Sequence, residues 1–250
     1  MATIGAVQLL LVSDLHYTLP HFDWVLDQAD EFDVVVIAGD SLDLSSPVSL
    51  ESQIVAVRAY VRKLAERTNV IVCSGNHDLT ATNHHGEKHA PWVEQASADG
   101  AVVDWATIEI NGTRLTVCPW WDGPATRADV DRQLSNDAAD RPERWIWVYH
   151  YPPDEAEVSW TGRRHIGDKD LSAWIDLHQP DLVLTGHIHD SPFKDGGSWL
   201  SSLGSTWVIN AGRMPGPMPA HAIVDVAAGT AEWWSPYGRG NEQLWTASGA

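Results

Sequence analysis

The stretch Val34-Val35-Val36-Ile37-Ala38-Gly39-Asp40 is an unbroken apolar run that ends on a glycine and then a carboxylate. A run of this length without polar alternation is typical of a strand that is buried on both faces, as in a parallel sheet. An aspartate after such a strand is usually a turn former or a helix cap, so the run alone predicts no function. It predicts one strand of a buried sheet, and the remaining runs decide what the carboxylate does.

Short apolar runs recur along the chain, with helical segments between several of them. They cover residues 6–12, 34–38, 70–73, 114–118, 145–149, 182–184, 207–209 and 222–226. Apolar spacing of three and four residues predicts amphipathic helices in 22–29 and 54–65, the second with Ser46 as its N-cap. A hairpin is predicted through Asn111-Gly112, and Asp168 is expected to cap a further helix. This order of elements predicts an α/β or α+β fold with a parallel or mixed sheet.

The composition indicates a globular chain with one substantial core. It has 250 residues, of which 44% are hydrophobic, and this is enough apolar surface to bury a core of considerable size. We predict a single domain over residues 1–237 and a polar C-terminal tail, residues 238–250, that frays. The formal net charge of -18 repels phosphate backbones, which disfavours nucleic acid as a partner but does not exclude a small phosphorylated substrate.

No stretch of the sequence is long and apolar enough to be expected in a membrane. The first run, residues 6–12, is too short to cross a bilayer and lacks a basic leader, so it is interpreted as a strand rather than a signal peptide. The two cysteines, Cys73 and Cys118, each end an apolar run and are interpreted as small buried hydrophobes. This pattern predicts a cytoplasmic protein and leaves the oligomeric state open.

Five of the runs end in residues that bind metals or transfer protons. The segments are Asp14-Leu15-His16, Gly39-Asp40, Gly75-Asn76-His77-Asp78, His150-Tyr151 and Gly186-His187-Ile188-His189. In an open α/β sheet, strand ends of this kind open onto a shared crevice. Each segment alone fits an ordinary structural role, whereas all five in this order indicate one site.

The spacing and types of these side chains predict a metal centre. Residues two apart, as in the pairs Asp14/His16 and His187/His189, point to one side of an extended backbone. Imidazole, carboxylate and amide donors without cysteine suit Mn, Fe or Zn rather than a structural thiolate zinc site. Seven donor residues exceed the positions around one tetrahedral ion, whereas two ions roughly 3.5–4 Å apart that share a carboxylate would use them all. The seven are Asp14, His16, Asp40, Asn76, His150, His187 and His189.

The five segments resemble the signature of the calcineurin-like metallophosphoesterase superfamily. Its blocks are Asp-x-His, Gly-Asp, Gly-Asn-His-Asp/Glu, a His-bearing strand end and Gly-His-x-His, and all five match between positions 14 and 189. The resemblance implies an α/β (α+β) fold, a four-layer sandwich of two mixed β-sheets flanked by helices. It also implies two divalent ions, the first held by Asp14, His16, Asp40 and His189 and the second by Asp40, Asn76, His150 and His187.

The resemblance implies a metal-dependent phosphoesterase that uses a metal-activated hydroxide. Attack on phosphorus is in line, and the ions together with Asn76 neutralise the charge that develops on the phosphoryl oxygens. His77 is expected to contact the phosphoryl group or to protonate the leaving oxygen. Asp78 is expected to orient the ring of His77, which gives Asn76, His77 and Asp78 the catalytic roles.

The sequence favours a small phosphodiester as the substrate. The superfamily's protein phosphatases carry an arginine where this chain has Leu44, and the chain has no basic face for a nucleic acid. Alternatives within the same fold are a phosphomonoesterase and a nucleotide pyrophosphatase. An alternative of another class is a non-catalytic protein-binding scaffold that keeps the metal site. Weaker candidates for substrate binding, besides Asn76 and His77, are His84, His85 and Arg213.

Overall fold

Two mixed β-sheets form the centre of the protein in a computed structural model, which describes residues 6–246. The first has the strand order β15 (Gly238–Gln243), β14 (Thr230–Ser235), β13 (His221–Asp225), β1 (Gln8–Val12), β2 (Val34–Ala38), β3 (Asn69–Cys73) and β6 (Val102–Val103). The second has the order β11 (Leu200–Leu203), β12 (Thr206–Asn210), β10 (Leu182–Thr185), β9 (Arg144–Val148), β8 (Thr113–Val117) and β7 (Thr107–Ile110). A separate hairpin joins β4 (Ala81–Thr82) and β5 (Lys88–His89). Each predicted apolar run contains or overlaps a strand.

Helices cover the outer faces of both sheets. They are α1 (Leu19–Gln28), α2 (Leu50–Ala65), α3 (Pro91–Gln95), α4 (Pro124–Ala138) and α5 (Lys169–His178). Buried side chains of α1, α2 and α3 pack on the first sheet, and those of α4 and α5 pack on the second. The predicted four-layer sandwich of two mixed sheets and flanking helices is therefore confirmed. Within residues 6–246, no helix has the length and apolar content needed to cross a membrane.

The position of strand β2 between two cores explains why its sequence is apolar without interruption. Val34, Val36 and Ala38 point into the core between the two sheets. Val35 and Ile37 point the other way, into the core beneath the helices. Because successive side chains of a strand face opposite sides, both sets need apolar residues when both sides are covered.

The strand directions bring the five predicted segments to one end of the sandwich. Strands β1, β2 and β3 are parallel neighbours in the first sheet, and β9 and β10 are parallel neighbours in the second. The carboxyl ends of parallel strands open onto the same edge of their sheet. The loops that follow these five strands carry the predicted metal-binding residues, and they meet where the two sheets face each other.

The local signals were correct at the hairpin and at α5 but wrong at the start of α2. Asn111 and Gly112 both have positive φ, 49° and 83°, as a type I′ turn requires. Asp168 caps α5 by accepting the backbone N–H groups of Asp170 and Leu171 at 2.8 and 3.1 Å. Ser49 caps α2, because Ser46 instead accepts the N–H of Val48 and closes a turn ahead of the helix.

The predicted fraying tail is wrong for residues 238–245. Strand β15 pairs with β14 along its whole length, from Gly238 opposite Ser235 to Gln243 opposite Thr230. The sequence did not predict β15 because its side chains are polar. An edge strand can form backbone hydrogen bonds with its neighbour even when it has no apolar pattern. The next residue, Leu244, is buried, and the Arg144 guanidinium lies 4.0 Å from the ring centroid of Trp245. Residues 247–250 lie outside the described part of the chain, and a single domain over 1–237 stays a prediction.

Candidate metal centre

The loops after the five strands bring the predicted side chains into three overlapping groups. One of them joins His16, Asp40 and His77, and the other two lie at the predicted metal sites. In the first, His189 Nε2 lies 3.1 Å from Asp14 Oδ1 and 3.0 Å from His16 Nε2. In the second, Asp40, His150 and His187 each direct one donor atom to a common point. His150 Nε2 lies 3.2 Å from Asp40 Oδ2. The two groups contain residues predicted for the first and second metal sites, and the assignment of each ligand to an ion stays a prediction.

Asp40 lies between the two groups. Its Oδ2 atom is 3.2 Å from His150 Nε2 on one side and 3.7 Å from His16 Nε2 on the other. Its Oδ1 atom accepts the backbone N–H of His77 at 2.8 Å, which fixes the orientation of the carboxylate. This is the position that a carboxylate shared by two cations requires.

Four of the nine non-glycine residues with positive φ in the described part of the chain are predicted metal ligands. Asp14, His16, Asp40 and His187 adopt positive φ values of 54°, 41°, 53° and 68°. Residues other than glycine rarely take this conformation, and where they do the cost is of order 1–3 kcal/mol each. Such strain persists when the surrounding structure imposes it, and it clusters at functional sites.

The motif glycines permit contacts between one loop and the ligands of another. A Cβ on Gly75 would overlap the carboxylate of Asp40, and a Cβ on Gly39 would overlap the ring of His150. At Gly186 it would come within 2.6 Å of Asp14 Oδ2. Each of these positions requires glycine, because a donor side chain from another segment occupies the space that a Cβ would fill.

A Gly75→Ala substitution is expected to displace Asp40 and weaken metal binding. Overpacking at a buried site costs about 1–3 kcal/mol of unfolding free energy, and the displaced carboxylate would lose its position between the two groups. Denaturant unfolding and metal titration measure both effects. Gly238→Ala is the matched control, because a Cβ there meets only Trp233 at 3.5 Å, an ordinary contact. Equal behaviour of the two variants would contradict this account of Gly75.

A hydrogen bond at Nδ1 of His150 leaves the lone pair of Nε2 available to bind a cation. The Nδ1 atom lies 2.7 Å from the carbonyl oxygen of Ala38, and a carbonyl can only accept, so Nδ1 carries the proton. The buried Nε2 atom has no hydrogen-bond partner among the described residues, although it faces Asp40. A neutral imidazole would thus point a lone pair at a carboxylate. Metal-binding histidines commonly have this arrangement, with the outer nitrogen bonded to a carbonyl.

The pKa shifts of the buried aspartates and histidines are also consistent with a metal site. Burial alone would raise the pKa of Asp14 and Asp40, but His150 is the main group that opposes it, and both pKa values lie below the usual range. Burial disfavours the charged form of His150, yet the two carboxylates outweigh it and raise its pKa to about 9. Burial lowers the pKa of His16 and of His187 to about 4. Ionised carboxylates and neutral imidazoles are the forms that bind metals, and His150 must hold either a proton or a cation to face Asp40.

Asn76 and His77 lie in a single 3₁₀ turn after β3, beside the two groups. Asn76 Oδ1 and His77 Nδ1 are buried, and neither has a hydrogen-bond partner within residues 6–246. The His77 ring lies against that of His16, with centroids 4.5 Å apart, and one of its nitrogens shares a cluster with His16 and Asp40. Both side chains thus have free polar atoms at the centre, and their predicted roles stay predictions.

Asp78 does not orient the ring of His77, so the predicted role is wrong. Its carboxylate is buried and accepts the backbone N–H groups of Ser41 and Leu42 at 3.1 Å and of Gly75 at 2.9 Å. It therefore joins the loop that carries Asp40 to the loop that carries His77. Three backbone donors hold the carboxylate, and none of its hydrogen bonds goes to the ring of His77.

The weaker candidates lie in different places. His84 and His85 are exposed at the tip of the β4–β5 hairpin, with ring centroids 3.8 Å apart, and neither belongs to a donor group of the described residues. Arg213 lies next to the centre, because its backbone N–H donates to the carbonyl of His189 at 3.1 Å. The structure thus brings Arg213 to the site and leaves the two histidines on a loop.

Tyr151 was missing from the sequence prediction. Its ring centroid lies 4.4 Å from that of His187, and Trp120 stacks on it at 5.2 Å with an interplanar angle of 15°. The two aromatic rings form a wall beside the second group of ligands. The available signal was the position of Tyr151 directly after His150.

Comparison with known proteins identifies the family. The model of the calcineurin-like phosphoesterase family matches residues 7–191, so the chain belongs to this family. With the buried histidine and aspartate groups, this makes the protein a metallophosphoesterase whose substrate is not defined. No curated protein sequence matches the chain significantly.

Solved structures confirm the fold. The crystal structure of TT1561 from Thermus thermophilus matches with a TM-score of 0.61 and 14% identity, over 96% of this chain and 100% of that one. Purple acid phosphatase PPD1 from yellow lupin (Lupinus luteus) seeds matches with a TM-score of 0.61 and 12% identity, over 97% of this chain and 52% of that one. A putative 5'-nucleotidase from Staphylococcus aureus matches with a TM-score of 0.55 and 12% identity, over 96% and 53%. The chain thus spans about half the length of the last two proteins.

Proposed function

We propose that the protein hydrolyses a small phosphodiester with the help of two divalent ions, Mn, Fe or Zn. Asp14, His16, Asp40 and His189 would hold the first ion, and Asp40, Asn76, His150 and His187 the second. The observation that carries the proposal is the position of Asp40 between two groups of buried donors, with the unpartnered Nε2 of His150 directed at it. When bound, such ions lower the pKa of water and offset negative charge on phosphoryl oxygens.

The chain's own side chains would bind and orient the ester. Asn76 can turn its Oδ1 to a cation and its NH₂ to a phosphoryl oxygen, because Oδ1 has no partner within residues 6–246. His77 would donate a proton to the leaving oxygen, since its ring faces the centre. The backbone N–H groups of His77 and His187 hold the carboxylates of Asp40 and Asp14 at 2.8 and 3.0 Å, so these carboxylates need no rearrangement during the reaction.

The preference for a small diester rests on charge and on what the sequence lacks. A net charge of -18 disfavours a polyanionic substrate such as a nucleic acid. Leu44 occupies the position where protein phosphatases of the superfamily carry an arginine, and its side chain is 55% exposed, so an apolar side chain stands at the surface in place of that cation.

Metal reconstitution tests the proposed function. The purified protein is stripped with a chelator, reloaded with Mn, Fe or Zn, analysed for metal content, and assayed with bis(p-nitrophenyl) phosphate and p-nitrophenyl phosphate. We expect about two ions per chain, loss of hydrolysis on stripping, and a higher kcat/KM for the diester. A higher value for the monoester would overturn the diester preference. Two bound ions without hydrolysis of either ester would favour the non-catalytic scaffold.

A further inference from the structure

A groove leads away from the first group of ligands. It begins at a cavity of about 480 Å³ that His21, His189 and Arg213 line. It continues into a cavity of about 700 Å³ that Phe193, Trp233 and Tyr237 line. The two cavities share Asp190, Arg213, Met214 and Pro215. A molecule held at the metal centre thus has a path with a cationic side chain first and aromatic side chains beyond it.

Arg213 is a free cation beside the metal centre. Its guanidinium makes no hydrogen bond and no ion pair with any residue from 6 to 246. The cavity of about 480 Å³ is lined by Arg213 and by His189, a proposed ligand of the first ion, so both residues border the same space.

The backbone around Arg213 is held in place. Asn210 is buried, and its NH₂ donates to the carbonyls of Ile188 and Val158 at 3.0 and 3.1 Å while its Oδ1 accepts the N–H of Gly212 at 2.9 Å. Gly212 has φ of 72°, and a Cβ there would come within 2.7 Å of Pro192. The segment that carries Arg213 is therefore fixed against the segment that carries His189.

The other cation in the groove has a different environment. Lys194 lines only the outer cavity, and its Nζ lies 3.9 Å from Asp190 Oδ2. Arg213 lines both cavities and keeps its positive charge unpaired. The groove thus has one unpaired guanidinium, which lies between the metal centre and the aromatic side chains of the outer cavity.

We propose that Arg213 binds a second oxyanion of the substrate, carried on the substituent of the phosphoester that enters this groove. A guanidinium binds phosphate or carboxylate oxygens with two parallel hydrogen bonds, which fixes both distance and orientation. Phe193, Trp233 and Tyr237 then contact the apolar part of the same substituent. This inference rests on the proposed hydrolysis and narrows its substrate class to phosphodiesters with a second phosphate or carboxylate.

A matched pair of substrates tests Arg213. Thymidine 5'-(p-nitrophenyl phosphate) and its 3'-phosphorylated form share one scissile bond and differ by one phosphate. We expect the wild type to prefer the 3'-phosphorylated form by about 10- to 100-fold in kcat/KM, as charge-assisted hydrogen bonds allow. In Arg213→Met the ratio should fall to about one, and Arg213→Lys should be intermediate. Arg132→Met, which removes an exposed arginine paired with Asp129, should keep the wild-type ratio.

Equilibrium binding separates this inference from the proposed function. Calorimetry with thymidine 3',5'-bisphosphate and thymidine 5'-monophosphate on the metal-loaded protein should give tighter binding of the bisphosphate in the wild type and in Arg132→Met, but not in Arg213→Met. Binding that depends on Arg213 without any hydrolysis would sustain the oxyanion site and overturn the proposed function. Hydrolysis with the same substrate ratio in the wild type and Arg213→Met would sustain the function and overturn the oxyanion site.

Discussion

An Asp40→Asn variant is expected to lose at least about three decades of turnover, equivalent to the several kcal/mol that metal ions contribute to such reactions. The amide has one acceptor and one donor end. Its oxygen must stay where Oδ1 accepts the His77 N–H at 2.8 Å, because an NH₂ there would face another donor. The NH₂ then points at His150 Nε2 and His16 Nε2, which is the space that two cations would need.

The same substitution should leave the fold intact. The new NH₂ can donate to the lone pair of His150 Nε2, which has no hydrogen-bond partner among the residues described. We therefore expect the variant to unfold at a temperature no lower than that of the metal-free wild type. Metal analysis of the same sample should give fewer than two ions per chain. The three measurements together distinguish loss of the metal centre from loss of the fold.

Asp43→Asn is the control for this experiment. It removes the same charge from the same loop, but the Asp43 carboxylate accepts from the backbone N–H and the hydroxyl of Ser45 and belongs to neither donor group. Its metal content and turnover should match those of the wild type. Hydrolysis that survives in Asp40→Asn would exclude a mechanism that needs two ions sharing this carboxylate.

The sequence predicted the sheets well because their strands are buried on both sides. A continuous apolar run such as 34–38 fits a buried strand by its length, by its β-branched residues and by the glycine that follows it. Strand β15 was not predicted, because Gly238–Gln243 is an edge strand of glycine and polar residues. Its neighbours supply the apolar contacts, as when Gly240 leaves room for the ring of Trp199. Such a strand depends on tertiary contacts that no local pattern records.

At the site, the sequence predicted donor types but not contacts between loops. The order and chemistry of the five segments indicated one shared site, whereas the assignment of each ligand to an ion came from the family resemblance and stays a prediction. The hydrogen-bond partners of Asp78 could not be predicted from the sequence, because Ser41 and Leu42 are 37 and 36 positions away in the chain. The same holds for Gly75, whose missing side chain matters only because Asp40 comes to lie beside it.

A His77→Ala variant is expected to lose about two or more decades of turnover, the usual contribution of general acid catalysis, while it keeps its metal content. The hydrogen bond that His77 makes to Asp40 comes from its backbone N–H, which donates to Asp40 Oδ1 and remains in alanine. The ring packs on His16 with centroids 4.5 Å apart, and its buried Nδ1 has no partner within residues 6–246. Removing the ring therefore removes a proton donor and one packing contact with His16, but it keeps the hydrogen bond that orients Asp40.

The dependence on the leaving group decides what His77 does. A proton donor matters most when the leaving oxygen is strongly basic, so His77→Ala should slow a phenyl ester more than a p-nitrophenyl ester with the same retained group. An equal loss with both esters would assign His77 to charge stabilisation on the phosphoryl oxygens instead. Turnover near that of the wild type with both esters would remove His77 from the mechanism. Because metal content is measured in the same samples, a loss of ions cannot be mistaken for a loss of proton transfer.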